Sequence, residues 1–146
     1  SAWGFTACDG PNGYSGAYGS KPCKRQSVGE EPLVDGTVPP CGAIGSIAFT
    51  PEDSIRAMKH FKENDKLWSK YGFIDAYNLG TKGNHKDATI EGKIPEGGWY
   101  ASDVIGIDKG VSALMIENYV SNMIWNIFMD VDYVQDGLKE LGFTSR

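Results

Sequence analysis

From Asp108 to Phe128 the apolar residues Val111, Leu114, Met115, Tyr119, Val120, Met123, Ile124, Ile127 and Phe128 recur three and four apart. That spacing predicts one long α-helix. Its other side carries Glu117, Ser121 and Trp125 with Asn118, Asn122 and Asn126 in place of Lys and Arg. A helix with so few charges has no well-solvated face, so the pattern predicts that other elements enclose it.

The rest of the chain supplies candidates for that enclosure. Pro40 to Phe49 is apolar almost all round and follows a Pro pair, which predicts a short helix buried on every side. Thr50-Pro51-Glu52-Asp53 then reads as a helix start, with Thr as N-cap, Pro at the first helical position and acids at the positive end of the dipole. This helix should run to about Asn64, with Ile55, Met58 and Phe61 on one face and Lys59, Lys62 and Glu63 on the other. A last amphipathic helix is expected over about Val131 to Leu141, with Val131, Val134, Leu138 and Leu141 inward and Gly142 ending it. Residues 1 to 39 are Gly- and Pro-rich with turn signals at Asp9-Gly10-Pro11-Asn12-Gly13 and Asp35-Gly36. Lys66 to Ala101 is aromatic, Gly-rich and without periodicity. Buried helix, amphipathic helix, long loop, buried helix, amphipathic helix is the order that a double ring of helices produces, with long loops gathered over the inner ends. The expected fold class is therefore all-α.

Composition narrows the functions open to such a chain. Its 146 residues, 40% of them apolar, fit one globular domain. A formal charge of −5, with Lys and Arg spread thinly, argues against nucleic acid as a partner. No apolar run approaches the roughly 20 residues of a membrane span. Cys8, Cys23 and Cys41 lack C-x-x-C spacing, and His60 and His85 have no ligand partner at helical spacing, so neither a metal nor a cofactor is expected. Asp130-Val131-Asp132 opens like a calcium loop but lacks the Gly and closing Glu that such a loop requires.

Three acids stand in enclosed or loop-end positions, where a pair of carboxyl groups can break a glycosidic bond, one protonated and one ionised. Asp9 is followed by Gly10 and Pro11, which fix a tight turn; its plainer role is an Asx-turn. Asp108 opens the enclosed helix, where it serves as N-cap, as cavity carboxylate, or as both. Glu117 lies three turns into that helix beside Asn118, Tyr119 and Asn122, and a buried carboxylate there must be hydrogen-bonded whatever else it does. The loops also hold Trp3, Tyr14, Tyr18, Tyr77, Trp99 and Tyr100. Singly these are ordinary packing residues; as a cluster they suit the apolar C–H faces of sugar rings.

Five motifs in order carry a family resemblance: Trp3 to Pro11, Asp35-Gly36-Thr37-Val38, Tyr71 to Asn78, Gly106 to Gly110, and Met115 to Tyr119. Together they resemble the C-terminal half of the bacterial glucoamylase-like domain family, related to the β-1,2-glucanases and to the glucan-handling domains of cyclic glucan synthases. The resemblance implies the C-terminal portion of an (α/α)6 toroid acting on a glucan by carboxylate-assisted hydrolysis, and commonly export to the periplasm or cell surface. A non-catalytic sugar-binding module built from the same loops is the alternative. The resemblance raises Asp9, Asp108 and Glu117 to catalytic candidates, with Asp108 first as base, and sets Trp3, Asp35, Tyr77 and Trp99 near the sugar.

The sequence departs from the family pattern in two places. Lys109 stands where a neutral amide is expected, and residues 79 to 98 read as an inserted hydrophilic loop. Length is a further departure: twelve helices of about 11 residues with connections of about 5 need roughly 190 residues. The remaining helices, and with them the proton-donating carboxyl, are expected from an N-terminal part of the same toroid, and the 146-residue chain alone is expected to be inactive.

Overall fold

The computed structural model describes residues 2–11, 13–14, 36–80 and 97–144. Asp35, Cys23 and His85 lie outside them. Among the described residues five helices form the frame: α1 (Pro40–Ile44), α2 (Pro51–Lys62), α3 (Gly106–Ser121), α4 (Met123–Met129) and α5 (Asp132–Glu140). Helix α1 packs on both α2 and α3, α3 leads into α4, and α4 contacts α5. Among the described residues no helix is long and apolar enough to cross a membrane.

The structure corrects several expectations. The expected buried helix over 40–49 is helical only to Ile44, continues as turns, and leaves Phe49 exposed. Thr50 is the N-cap residue of α2, but its hydroxyl bonds the Ser46 carbonyl (3.3 Å) instead of a helix N–H. The preceding turn offers that acceptor one turn back, and Ser and Thr side chains readily take it.

The expected single helix from Asp108 to Phe128 is two helices, broken at Asn122, which adopts the left-handed conformation (φ 56°). Asn tolerates that region better than most residues. The break is also capped. The Asn118 side chain accepts from the Trp125 N–H (3.0 Å) and the Ser121 hydroxyl accepts from the Met123 N–H (3.1 Å). Two otherwise orphaned donors at the start of α4 are thereby satisfied.

Helix α3 is not enclosed on all sides. Only Asp108 and Asn118 are buried, while Val111, Leu114, Tyr119 and Val120 are exposed. The described residues cover one side of α3 and leave the rest of its apolar surface bare. Helix α5 has the expected apolar positions and the Gly142 terminus (φ 80°), yet none of its residues is buried.

The aromatic stretch between α2 and α3 is more ordered than its sequence suggests. A 3-10 turn (Asp65–Leu67) leads into two ribbons of two-residue strands, β1 (Trp68–Ser69) with β2 (Gly72–Phe73) and β3 (Tyr77–Asn78) with β4 (Trp99–Tyr100), both antiparallel. Val38 adds a bridge to Tyr77. The main core lies where these ribbons meet α1 and α2. Phe61, Leu67, Ala43, Ala57 and Tyr77 are buried there, with Trp3, Phe73 and Tyr100 packed against them. Gly4 (φ 145°) lets the N-terminal segment lie on α1, since a Cβ there would sit 2.4 Å from the Pro39 carbonyl oxygen.

Candidate active site

Three separate stretches of chain each deliver one aspartate. Asp9 follows the segment anchored on α1, Asp75 lies between β2 and β3, and Asp108 occupies the first turn of α3. All three are nearly inaccessible, at 3%, 2% and 6% exposure. The Asp9 N–H donates to Asp75 Oδ2 at 2.6 Å, and Asp9 Oδ2 in turn accepts from the Asp103 N–H at 3.3 Å. Neither Asp75 Oδ1 nor Asp108 Oδ2 has a hydrogen-bond donor among the described residues. One oxygen on each carboxyl is thus left without a donor, which a proton held on either would relieve. Burial pushes the Asp75 carboxyl up to about 7; the Asp9 N–H pulls it down, while hydrogen bonding with Asp108 and the Asp108 and Asp9 charges raise it further.

Around the pair, the Cys41 thiol of α1 is pushed up to about 12, first by burial and then by the charges of Asp108 and Asp75. Tyr14 is raised by burial and by the same two charges. A cavity of about 340 Å³ opens beside the pair between α1, α2, α3 and the β1–β2 ribbon. Its walls are largely apolar, including Ile44, Met58 and Phe73, and its polar groups include Asp75, Asp108, Lys109 and Ser112. Trp68 and Tyr71 also line it, and both are exposed. Among the described residues no group of three His, Cys, Asp or Glu is arranged to hold a metal ion.

The other sequence-derived candidates fall as follows. Glu117 stands nine residues beyond Asp108 on α3, which at 100° and 1.5 Å per residue is the opposite side of the helix and about 13 Å along it. It accepts from the Ser121 hydroxyl at 2.5 Å, the same hydroxyl that caps α4, and so belongs to the α3–α4 corner. Trp3 packs against the core and its indole N–H reaches the Asp53 carbonyl (3.4 Å). Tyr77 is buried, edge-on to Phe61 and stacked on Tyr100. Trp99 packs against Cys8 and Ala76, the immediate neighbours of Asp9 and Asp75. Asp35 lies outside the described residues.

Asp75 is the acid that sequence reasoning missed, although its motif from Tyr71 to Asn78 was recognised. The available signal was a lone carboxylate between Ile74 and Ala76 in an otherwise apolar and aromatic stretch.

A helical scaffold presenting buried carboxyls beside an aromatic-rimmed cavity is an architecture suited to acid–base chemistry. The chain belongs to the glucoamylase-like family: the Glycoamylase family model, described as "Putative glucoamylase", matches residues 1–132. It is 31% identical over 144 residues, 95% of its length, to an exo-β-1,2-glucooligosaccharide sophorohydrolase (non-reducing end) from Parabacteroides distasonis, of which it spans 16%. Among solved structures it resembles a glucoamylase-like protein from Bacteroides uniformis (38% identity, TM-score 0.70), covering 99% of this chain and 29% of that one. It also resembles an endo-β-1,2-glucanase from Chitinophaga pinensis solved with sophorotriose and glucose (32% identity, TM-score 0.70), covering 99% of this chain and 29% of that one. The chain thus spans about a sixth of the curated relative and under a third of these solved structures.

Proposed function

We propose that these residues form the C-terminal wall of a glucan hydrolase active site, in which Asp108 is the general base and Asp75 holds it through a shared proton. The observation that carries this reading is that Asp75 and Asp108, from two distant stretches, meet on one cavity edge, with the Asp9 N–H of a third stretch bonded to Asp75. Carboxyl groups whose environments push their proton affinities apart are the usual equipment of glycoside hydrolysis. Relatives named for β-1,2-glucan hydrolysis favour a β-1,2-linked glucan or gluco-oligosaccharide as substrate. Trp68 and Tyr71 on the cavity wall, and Trp99 beside Cys8 and Ala76, offer aromatic surfaces suited to sugar C–H faces. The exposed apolar side of α3 supports the further reading that an N-terminal part of the same (α/α)6 toroid covers it and contributes the proton-donating carboxyl.

The test is hydrolysis of β-1,2-, β-1,3- and α-1,4-glucans by the full-length protein and its Asp108→Asn variant. The expected result is cleavage of the β-1,2-glucan, lowered at least about 100-fold in kcat by the substitution with binding retained. Binding without cleavage by the unsubstituted protein would instead identify a sugar-binding module. Export is the corresponding expectation for location, checked by fractionating the producing cells.

A further inference from the structure

We propose that the Cys41 thiol is a positioning residue for Asp108, holding the carboxyl of the base by an S–H···O bond across the contact between α1 and α3. This rests on the reading of Asp108 as the general base.

The packing of the two helices brings the pair together. Gly45 lies one turn after Cys41 and donates its N–H to the Cys41 carbonyl (2.7 Å). It sits so close to α3 that a Cβ there would come within 2.9 Å of Val111 Cγ1. Val111 in turn lies one turn after Asp108 on α3. One turn back on both helices, the Cys41 thiol hydrogen-bonds with the Asp108 carboxyl. The two contacts therefore match turn for turn, and the missing side chain at Gly45 is what lets the second pair close. Cys41 and Asp108 both line the cavity beside Asp75.

The role of the thiol follows from what else holds Asp108. That carboxyl is 6% exposed, and its Oδ2 has no donor among the described residues. It also hydrogen-bonds with Asp75, which is itself an acid. Its backbone is fixed in the first turn of α3, but its side-chain torsions are set by such contacts. A thiol is a weak donor, yet it suits a wall that includes Ile44, Phe73 and Ile74, because it brings no strongly polar group that must be satisfied there. It also remains a donor. Burial first, then the Asp108 and Asp75 charges and the bond to Asp108, push the thiol up to about 12, against the opposing charge of Lys109. Tyr14 faces the same acids and is raised as well, so it adds no charge near neutral pH. A thiol held protonated is neither a nucleophile nor a metal ligand, which leaves donation as its chemistry.

The test uses the full-length protein and two independent readouts. On β-1,2-gluco-oligosaccharide, Cys41→Ala should lower kcat about fivefold with KM unchanged, the pattern of an alignment needed only in the transition state. Cys41→Ser keeps a donor and should restore most of the loss. Equal kcat in the alanine and serine variants would reveal packing alone and overturn the proposal. The second readout is infrared and needs no activity. The S–H stretching band that disappears in Cys41→Ser should lie below the frequency of a free thiol, and should rise towards it in Asp108→Ala. A band at the free-thiol position in both proteins also overturns the proposal. If the unsubstituted protein cleaves no glucan, the functional reading fails, and the band still decides whether the thiol holds Asp108.

Discussion

Burial and the neighbouring acids raise the Asp75 carboxyl to about 7, and this has a sign that can be measured. An acid raised in the folded state binds protons more tightly there than in the unfolded chain. Its favourable contribution is complete below the unfolded value near 4, shrinks as pH rises, and is gone above about 7. Asp75→Asn has no proton to lose, and its amide oxygen still accepts from the Asp9 N–H. Relative to the unsubstituted protein, the variant should gain stability as pH rises from 4 to 8, read from unfolding curves at several pH values. It should also lose glucan cleavage. Asp9 and Asp108 were legible because flanking Gly and Pro residues mark fixed turns and helix starts. Asp75 was less so, because its apolar neighbours in Phe73-Ile74-Asp75-Ala76-Tyr77 hint at enclosure without showing that its partner is another acid.

At the level of elements, helical periodicity located α2, α3 and α5 but missed the break at Asn122. Val120, Met123, Ile124 and Ile127 keep the apolar rhythm across it, so the interruption is carried by capping alone. Asn118→Ala would strip the acceptor from the Trp125 N–H and should cost about 1 kcal/mol, with loss of helical signal confined to α4. The ribbons were invisible for a different reason: a two-residue strand is too short to show alternation. Their dependence on close backbone approach is testable at Gly98, where φ is 83° and a Cβ would lie 2.0 Å from the Asn78 carbonyl oxygen. Gly98→Ala should unpair β3 from β4 and destabilise the protein by at least about 2 kcal/mol in equilibrium unfolding. Because β4 carries Trp99 against Cys8 and Ala76, glucan affinity should fall with it.

Across the whole molecule, the enclosure expected from the charge-poor helix is only half present. Among the described residues, Val111, Leu114, Tyr119 and Val120 on α3, with Ile127 and Phe128 on α4, are exposed apolar side chains, and clusters of this kind usually mark a contact surface. The 146-residue chain by itself should therefore bind a hydrophobic dye strongly and self-associate, and replacing Leu114 and Val120 by Gln should reduce both. In the full-length protein the same replacements should destabilise, which separates a covered face from a free one. The helical class could be read from periodicity, but which faces are covered depends on neighbours that periodicity does not record.

The hydrogen bond from Asp9 to Asp75 joins residues 66 apart in the chain, and the one from Asp103 to Asp9 spans 94. Local helices can form before either closes, since contacts between distant residues carry the larger loop-closure cost and come late. The site should consequently close late and open early, and among the described residues 2–11 that hold it none is helical. On gentle heating, catalytic competence should disappear while the helices are still intact, so that activity reports on closure of the chain and circular dichroism does not.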